Sequence, residues 1–383
     1  MPDLGIGTEY AAFIPALKNL GFQVSHFESW DRSIYSSYTE LNKSLIKTIE
    51  RISPDLMLVV QMHYEIWIET LTLIRERTNV KTVCWTTDDS WKYREVSRFI
   101  GRYYHTMTTT YDYMIQNYQA DGIRNVLLTQ WAAKSQNLME PKPAKQCRYG
   151  VTFIGAAHGD RKKRIDAIRK SGIQTKCYGS GWPGGPIAAD EIASIMRDSV
   201  ISLNFANSKG RNQIKARNFE VPGAGGFLLS ETAPGLDNYY KIGEEMDVFN
   251  DTEELIAKIK YYLSEHEHRD RIAQAGFEKT KREHTYELRL KEVVAFTLKN
   301  SKHQLPGCEK PGNKNFDEAL RVHQQDLILK LFRKLLIAAC TLIWGRKRGH
   351  RAARRLVFEM SWRLLGLKTY TASGLPGRMF PEL

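Results

Sequence analysis

The sequence is poor in the features that mark secreted, zinc-binding and membrane-spanning proteins. Its 383 residues include only five cysteines, which are odd in number, scattered and never spaced as a CxxC pair: Cys84, Cys147, Cys177, Cys308 and Cys340. This argues against a disulfide framework and a zinc site, and favours a reducing compartment. No charged-then-apolar leader opens the sequence, so we expect no signal peptide and a cytoplasmic location. The uncharged, mostly apolar run Leu335–Trp344 is about half of the ~20 residues that span a bilayer.

Acidic residues are scarce in the last part of the sequence. The formal net charge is +13, and residues 315–383 hold 13 Lys/Arg against 5 Asp/Glu, a net charge of +8. A local excess of positive charge indicates an anionic partner, either a membrane surface or a nucleic acid. The basic run Arg346–Arg355 contains no Phe, Tyr or Trp on which bases would stack. We therefore expect no nucleic-acid partner.

Apolar runs and amphipathic stretches alternate through residues 1–134, the first predicted domain. Continuous apolar runs such as DLMLVVQ are typical of strands buried in a parallel sheet. The predicted strands are Phe22–Phe27, Asp55–Gln61, Lys81–Trp85, Tyr104–Thr109 and Asn125–Trp131, with helices at Ala11–Leu20, Leu41–Arg51 and Ile66–Arg77. This alternation implies right-handed crossovers in a doubly wound, Rossmann-like α/β sheet. Such a domain usually opens with a strand and a glycine turn, which the stretch MPDLGIGTEY does not provide.

A second alternating set occupies residues 149–300, after a predicted linker at 135–148 that contains two prolines. Its predicted strands are Gly150–Gly155, Ile173–Gly179, Val200–Phe205 and Gly226–Glu231, with helices at Arg161–Lys170, Asp190–Arg197, Gln213–Phe219, Asp251–Leu263, His268–Lys281 and Thr285–Lys299. Two Rossmann-like domains facing a cleft would place ligands at the carboxyl ends of both sheets. A second linker, 301–315, leads to a basic helical tail, 316–383.

One glycine-rich stretch contains the first candidate site. In QIKARNFEVPGAGGFLLSE, Glu220 ends a predicted helix shortly before Gly223 and Gly225, and glycines let a backbone approach a ligand closely. The Glu220 carboxylate can accept hydrogen bonds from two ribose hydroxyls, while Lys215 or Arg217 neutralises a phosphate. The alternative is a surface glutamate followed by an ordinary helix stop and turn.

This stretch belongs to a series of motifs that resembles a known family. Together with PGLDNYYKIGEE (Pro234–Glu245), DTEELIAKIKYYLSEHEHRDRIAQAG (Asp251–Gly276) and HTYELR (His284–Arg289), it is similar to the C-terminal half of the CgeB-like glycosyltransferases. These belong to the group-1 clan, whose GT-B fold has two Rossmann-like domains. VCWTTDDSW (Val83–Trp91) resembles the N-terminal half more loosely. The resemblance implies metal-independent transfer of a hexosyl or related sugar from a nucleotide-activated donor, which is a substrate, so no cofactor is expected.

The resemblance also implies a set of donor-binding positions. Glu220 matches the glutamate that the clan places on the donor ribose, and Asn212 stands eight residues earlier, where the clan usually has a second glutamate. Arg161 matches a cation that faces the diphosphate. The implied donor-binding residues are Gly155, Arg161, Tyr178, Gly179, Trp182, Asn212, Lys215, Arg217, Glu220, Gly223 and Gly225. For the loop CYGSGW, matched to the border of the nucleotide base, the alternative is a plain glycine turn.

Three residues of the first domain are catalytic candidates. Sugar transfer requires that an acceptor hydroxyl be positioned and its proton taken. Asp88 and Asp89 follow one predicted buried strand and His63 follows another, so all three are expected at the edge where ligands bind. The alternatives are that the two aspartates cap the following helix and that His63 is an ordinary loop histidine. We expect no metal ion.

The tail combines cations with apolar residues at helical spacing, in Leu327–Trp344 and Arg351–Leu365. Cationic, Trp-bearing amphipathic helices lie well in a membrane interface, so we expect peripheral association with an anionic inner leaflet. The alternative is packing on the enzyme or on a second subunit.

Together, the family resemblance and the basic tail predict a glycosyltransferase that acts on a glycan, lipid-linked or protein acceptor in cell-surface polysaccharide assembly. The alternative function is a non-catalytic nucleotide-sugar or nucleic-acid binding protein that retains the fold.

Overall fold

The computed structural model of the protein describes residues 7–29, 31, 34–208, 211–300, 316–324 and 327–382. These residues form two compact units, each built from separate parts of the chain. Unit 1 contains the chain up to Val24 together with Trp131–Lys291, and unit 2 contains Ser25–Gln130 together with Glu292–Leu383. Each unit has a parallel sheet and a hydrophobic core of its own.

Strands and helices alternate along both units. The strands are β1 (Leu56–Val59), β2 (Lys81–Trp85), β3 (Thr106–Thr109), β4 (Val126–Leu128), β5 (Tyr149–Ile154), β6 (Thr175–Tyr178), β7 (Ser199–Asn204), β8 (Asn207–Ser208), β9 (Arg211–Asn212), β10 (Leu228–Glu231) and β11 (Asp247–Phe249). The α-helices are α1 (Gly7–Asn19), α2 (Tyr38–Ile52), α3 (Ile68–Arg77), α4 (Asp89–Lys92), α5 (Arg98–Ile100), α6 (Met114–Ala120), α7 (Arg161–Lys170), α8 (Glu191–Arg197), α9 (Arg217–Gly223), α10 (Thr252–Ser264), α11 (His266–Glu283), α12 (Tyr286–Asn300), α13 (Phe316–Val322), α14 (Leu327–Trp344), α15 (Arg346–Leu365) and α16 (Leu375–Met379). A π-helical turn, Tyr93–Ser97, joins α4 to α5.

The sheet of unit 2 is parallel, with its described strands in the order β1-β2-β3-β4. The central strand β2 is fully buried from Thr82 to Trp85, which explains why its sequence is apolar and β-branched without alternation. Because all the strands run in the same direction, their carboxyl ends lie along one edge. The residues that follow β1 and β2 are therefore brought to the same side of this sheet.

The sheet of unit 1 is also parallel, in the order β11-β10-β7-β5-β6. The chain starts at β5, moves outward to β6 and then crosses back to β7 on the other side of β5. This reversal between β5 and β7 is the topological switch point of a doubly wound sheet, where ligands bind beyond the carboxyl ends of the strands.

The prediction of a strand at Phe22–Phe27 is wrong. This segment forms no strand, and most of its side chains are exposed or half-exposed. The division between the two units falls within it, at Val24 and Ser25. The segment connects the two units along the chain and pairs with no strand of either sheet.

The predicted linker at 135–148 is an integral part of unit 1. Its Met139 N–H donates to the Gly223 carbonyl (3.2 Å), and Lys142 Nζ is paired with Asp198 at 2.5 Å. The predicted domain boundary is therefore displaced to Gln130 and Trp131. The second predicted linker, 301–315, lies outside the described residues.

The segment around Glu220 differs from its predicted structure. The helix predicted over Gln213–Phe219 begins and ends four residues later, as α9, and it includes Pro222. The residues before it form a small antiparallel hairpin, β8 and β9, whose two strands are too short to give a sequence signal. Sequence reasoning also missed β11, a three-residue edge strand.

The tail belongs to unit 2 and is not a separate appendage. The ring of Phe358 in α15 packs against the rings of His63 and Tyr64, with centroids 5.5 and 5.6 Å apart. Arg354 Nε donates to the Tyr64 hydroxyl at 3.2 Å. The expectation that Arg351–Leu365 lies flat on a membrane is therefore wrong for the face of α15 that contains Phe358, because protein covers that face.

Candidate functional site

The carboxyl edge of the unit 1 sheet has a cation at the switch point. Arg161, the first residue of α7, donates from Nη1 to the Ala156 carbonyl (3.0 Å), just beyond β5. Its Nη2 donates to the Phe205 carbonyl (3.5 Å), just beyond β7. The guanidinium also lies over the Phe153 ring, 5.5 Å from the centroid. Arg161 therefore bridges the two strands between which the strand order reverses.

Arg217 reaches the same edge from the first turn of α9. Its Nε donates to the carbonyl of Ile154, the last residue of β5, at 3.3 Å. Its Nη1 donates to Oε2 of Glu220, and the two side chains are 25% and 27% exposed. Because this contact uses Oε2, the Oε1 atom of Glu220 can still accept a hydrogen bond from a ligand hydroxyl. The structure thus brings Arg161, Arg217 and Glu220 to one place.

His158 adjoins this group, although sequence reasoning missed it. Burial and the positive charges of Arg161 and Lys215 lower the pKa of His158 below its ordinary value. Burial also lowers the pKa of Arg161; the charges of Asp160 and Glu231 oppose this shift, and the charge of Arg217 adds to it. The cations Arg161, Lys215 and Arg217 are close enough to affect these pKa values, and cations gathered in this way attract an anion. The sequence could have indicated His158, because it lies in IGAAHGD, the stretch that directly precedes Arg161.

The loop CYGSGW packs on the turn that follows β5. Trp182 Nε1 donates to the Gly155 carbonyl (2.7 Å), and the Gly155 N–H donates to the Tyr178 carbonyl (2.9 Å). Gly179 has a φ of 123°, and a Cβ there would lie 2.6 Å from the Gly155 carbonyl oxygen, so this position requires glycine. These four predicted residues are therefore adjacent. Trp182 is only 7% exposed, so its indole supports the loop from within and offers no face to a ligand.

Asn212 and Lys215 lie in the segment that connects β7 to β10. Asn212 Nδ2 donates to the Thr232 carbonyl (2.7 Å), directly beyond β10. Lys215 Nζ donates to Gln213 Oε1 (3.1 Å), and its backbone N–H donates to Asn218 Oδ1 (2.8 Å). The structure therefore places Asn212 at the carboxyl edge and ties down the turn that precedes α9.

Gly223 and Gly225 have a different role from the predicted one. Both are buried. A Cβ at Gly223 would lie 2.6 Å from the Ala133 Cβ, and a Cβ at Gly225 would lie 2.4 Å from the Met139 carbonyl oxygen. The segment 131–141 of the protein itself occupies the space beside them. The prediction that they bind the donor is therefore corrected, since these glycines allow two pieces of unit 1 to pack closely.

A buried ion pair between Arg164 and Glu231 stabilises the carboxyl edge of the unit 1 sheet. Arg164 Nη2 donates to Glu231 Oε1 (2.8 Å), and Arg164 Nε donates to Asp160 Oδ2 (2.9 Å). Glu231, with a side chain 4% exposed, also accepts the Ala206 N–H at 2.9 Å. The pair ties α7 to the end of β10 and to Ala206, two residues beyond β7. Its two members are 67 residues apart, so the sequence alone did not indicate their contact.

Asp88 lies three residues beyond β2, at the carboxyl edge of the unit 2 sheet, and its side chain is partly exposed. It occupies the N-cap position of α4, yet its carboxylate accepts no capping hydrogen bond. The capping alternative therefore does not describe Asp88. A partly exposed carboxylate at this edge can contact an acceptor hydroxyl.

Asp89 is fully buried and holds the structure together. Its Oδ2 accepts hydrogen bonds from Thr86 Oγ1 (2.8 Å) and the Tyr118 hydroxyl (2.7 Å), and its Oδ1 accepts one from Ser97 Oγ (2.7 Å). Burial raises the pKa of Asp89, although these hydrogen bonds act in the opposite direction. A carboxylate enclosed by three hydroxyl donors cannot reach a substrate, which corrects the prediction that Asp89 is catalytic.

His63 follows β1 and is held between Lys92 and α15. Lys92 Nζ lies 3.2 Å from His63 Nδ1, and the imidazole ring packs edge-on against Phe358. Burial, followed by the charges of Lys92, Arg355 and Arg354, lowers the pKa of His63 to about 3. An imidazole of such low basicity is a poor general base at neutral pH, so the structure favours a packing role for His63.

The adjacent aspartates provide a matched pair of substitutions. Asp89→Ala is expected to lower the free energy of unfolding by roughly 2–4 kcal/mol, because the buried Ser97 and Tyr118 hydroxyls lose their acceptor, while Thr86 Oγ1 keeps the Thr108 carbonyl (2.6 Å). Asp88→Ala is expected to change it by less than about 0.5 kcal/mol, as at other sites without buried contacts. Thermal and urea unfolding of both variants measures the difference. Equal destabilisation by the two substitutions would contradict these roles.

Some kinds of site are absent from the ranges that the structure describes. No group of three or more His, Cys, Asp or Glu side chains is arranged there to hold a metal ion. The four cysteines within these ranges, Cys84, Cys147, Cys177 and Cys340, are free thiols. None of the helices there combines the length and the apolar character needed to cross a bilayer.

The site in unit 1 lies almost wholly in a segment that matches a known family. Residues 161–295 match the family described as glycosyl transferase-like. The match begins at Arg161 and includes Arg217 and Glu220, and it covers about a third of the chain. No curated protein sequence matches the chain.

Solved structures of glycosyltransferases have the same fold at low sequence identity. A glycosyltransferase from Rickettsia africae ESF-5 is 12% identical, with a TM-score of 0.52 over 76% of this chain and 88% of that chain. HepE from Anabaena, in complex with UDP and glucose, is 11% identical, with a TM-score of 0.53 over 75% and 89%. Sucrose-phosphate synthase from Thermosynechococcus elongatus is 10% identical, with a TM-score of 0.50 over 69% and 79%.

The fold is therefore that of the GT-B glycosyltransferases, which confirms the fold class predicted from the sequence. The coarser part of the resemblance, to glycosyl transferase-like proteins of group 1, is confirmed for residues 161–295. The narrower assignment to the CgeB-like proteins stays a prediction.

Proposed function

We propose that the protein is a glycosyltransferase that moves a hexosyl or related sugar from a nucleotide-activated donor to a hydroxyl acceptor. In this reaction the bond between the anomeric carbon and the donor diphosphate breaks. A new bond forms between that carbon and the acceptor oxygen. The acceptor proton passes to a base, and the nucleoside diphosphate leaves with the electron pair of the broken bond.

The observation that carries the proposal is the group of basic side chains at the switch point of the unit 1 sheet. Arg161 contacts the backbone beyond both β5 and β7, and Arg217 contacts the end of β5. A leaving diphosphate develops negative charge as the glycosidic bond breaks, and cations fixed in advance stabilise that charge. The family match of the same segment supports this reading.

Glu220 binds the donor ribose in this proposal. Its Oε2 is oriented by Arg217, and its Oε1 accepts from a ribose hydroxyl. Because HepE from Anabaena, which has this fold, was solved with UDP and with UDP-glucose, we take a uracil nucleotide as the donor. The proposal includes no metal, since Arg161, Arg217 and Lys215 supply the positive charge.

Unit 2 provides the acceptor side. Asp88 is the candidate base, because Asp89 is enclosed and His63 has a low pKa. The acceptor is a glycan, a lipid-linked glycan or a protein hydroxyl, in cell-surface polysaccharide assembly at the cytoplasmic face of the inner membrane. The CgeB-like proteins are the subgroup that the sequence motifs favour.

The proposal is tested by binding and turnover with the full chain. Nucleotide sugars are screened by thermal shift, and release of the nucleoside diphosphate is then measured with those that bind. We expect a UDP-sugar to raise the unfolding temperature and to release UDP. Binding without any release, with acceptors or with water, would favour the non-catalytic alternative.

Glu220→Ala is expected to weaken UDP binding at least tenfold, because the charge-assisted hydrogen bond between Glu220 Oε1 and a ribose hydroxyl contributes about 1.5–3 kcal/mol. The loss should be much smaller for UDP that lacks both ribose hydroxyls. Isothermal titration of both ligands to the wild type and the variant measures the coupling. Glu253→Ala, at an exposed position in α10, is the matched control and should bind like the wild type. If Glu220→Ala weakens both ligands equally, Glu220 does not contact the ribose.

A further inference from the structure

The outer face of α14 is an uninterrupted apolar stripe exposed to solvent. Seven aliphatic and aromatic side chains on it are between 51% and 88% exposed: Leu327, Ile328, Leu331, Phe332, Leu335, Leu342 and Ile343. They recur at the spacings that place residues on one side of a helix. Isolated exposed leucines are common, but a continuous stripe of this size marks an interaction surface.

Packing on the opposite side fixes the orientation of α14. Cys340 is 3% exposed and packs with Ala353 and Val357 of α15 and with Met379 and Phe380 beyond it. Because α15 is itself packed on the loop after β1, α14 is the outermost of these layers. The stripe is therefore held outward by the fold of unit 2 and is not the result of a poorly packed helix.

The dimensions of α14 fit a helix that lies within a membrane interface. Its 18 residues have a length of about 27 Å at 1.5 Å per residue. Three basic residues interrupt its apolar sequence, Lys330, Arg333 and Lys334, and no helix in the described ranges meets the requirements for crossing a bilayer. An apolar face of this kind can enter the boundary between headgroups and acyl chains while its cations remain among the headgroups.

The charge around the stripe selects among possible partners. Residues 327–358 contain nine Lys/Arg and no Asp/Glu. Six of these cations are exposed and form no ion pair with any described residue: Lys330, Lys334, Arg346, Lys347, Arg348 and Arg351. Two copies of the chain that met through this face would bring like charges together. An anionic lipid surface satisfies both the stripe and the cations.

We propose that α14 inserts its outer face into the interface of an anionic membrane, with the exposed cations of α14 and of the first turns of α15 on the lipid headgroups. The buried face of α15 takes no part, because it contacts unit 2. This inference is independent of the proposed activity, since it rests on the exposure, packing and charge of the tail helices alone.

The test uses the full chain and single substitutions on the stripe. Leu342→Asp places a charge at the most exposed leucine, and Leu335→Asp places one two turns earlier on the same helix. Each is expected to reduce binding to vesicles of phosphatidylglycerol and phosphatidylcholine by more than about tenfold, because an apolar contact is replaced by a charge that repels the surface. Vesicle sedimentation measures the bound fraction. Leu288→Asp, at an exposed leucine of α12, is the matched control and should bind like the wild type.

Two further measurements distinguish membrane binding from self-association of the chain and from misfolding of the variants. Binding of the wild type should be weaker to phosphatidylcholine alone and should fall, without vanishing, at high salt. Unfolding temperatures of all variants should match the wild type, since the substituted side chains are exposed. The inference fails if the wild type does not bind anionic vesicles. It also fails if the wild type forms a concentration-dependent dimer that Leu342→Asp dissociates, because the stripe would then be a dimer interface.

Discussion

Arg161→Ala should lower affinity for UDP at least tenfold and leave affinity for uridine almost unchanged. The reason is that a guanidinium hydrogen-bonded to a phosphate contributes about 1.5–3 kcal/mol, and uridine has no phosphate to contact. Isothermal titration of the two ligands measures the ratio of losses. Lys162→Ala, at an exposed position of the same helix, is the control and should bind both ligands like the wild type.

A second readout distinguishes loss of charge from loss of structure. In the wild type, burial and the charges of Arg161 and Lys215 lower the pKa of His158. Removing the Arg161 charge should therefore raise this pKa toward its ordinary value, as should binding of a diphosphate. NMR titration of the His158 ring protons follows the shift. If affinity falls equally for UDP and uridine while the pKa of His158 stays unchanged, Arg161 acts on the local structure and not on phosphate.

Arg269→Met should produce the largest loss of stability in unit 1. Arg269 is fully buried in α11 and donates to three backbone carbonyls: from Nε to Val200 (2.8 Å), from Nη2 to Ser199 (2.9 Å) and from Nη1 to Lys142 (3.0 Å). Methionine fills similar space but makes none of these hydrogen bonds, and it also removes the ion pair with Asp270. We expect a loss of roughly 3–5 kcal/mol, which corresponds to a fall of about 10 °C in unfolding temperature.

Arg271→Met is the natural comparison for this substitution. Arg271 is exposed on the same helix, two residues away, so the same chemical change removes no buried hydrogen bond. Its unfolding temperature should stay close to that of the wild type. Calorimetry measures the unfolding temperature of both variants. Equal changes would mean that the hydrogen bonds of the buried Arg269 guanidinium contribute little to the stability of the fold.

The parts of the fold that the sequence predicted well are those set by local pattern. The bounds of β2 and α7 agree with the prediction to the residue. A buried apolar run and an amphipathic helix can each be recognised from about ten consecutive residues, because their hydrophobic patterns are local. The strand predicted at Phe22–Phe27 was wrong for the complementary reason. A strand also needs a neighbouring strand to pair with, and Phe22–Phe27 belongs to none of the described sheets.

The parts that could not be predicted depend on contacts between distant residues. Arg354 donates to the Tyr38 hydroxyl across 316 positions, and nothing near either residue indicates this. In the same way, the role of Gly225 follows from the backbone of Met139, which a glycine motif cannot specify. Glu220 was predicted from its place beside the glycine-rich stretch and Arg161 from the resemblance, while neither kind of argument pointed to His158.

The division of unit 2 between residues 25–130 and 292–383 has a consequence for the order of events during synthesis. Residues 25–130 leave the ribosome first, and residues 131–291 of unit 1 follow. Only then do residues 292–383, the second half of unit 2, emerge. Until Phe358 and Tyr370 have been made, the apolar surface that they cover in the finished protein lacks these partners. Residues 25–130 of the nascent chain therefore expose apolar surface that chaperones can bind for a long time. An early stop codon in the tail would leave this surface uncovered and would promote aggregation. A tail that made no contact with the core would not have this effect.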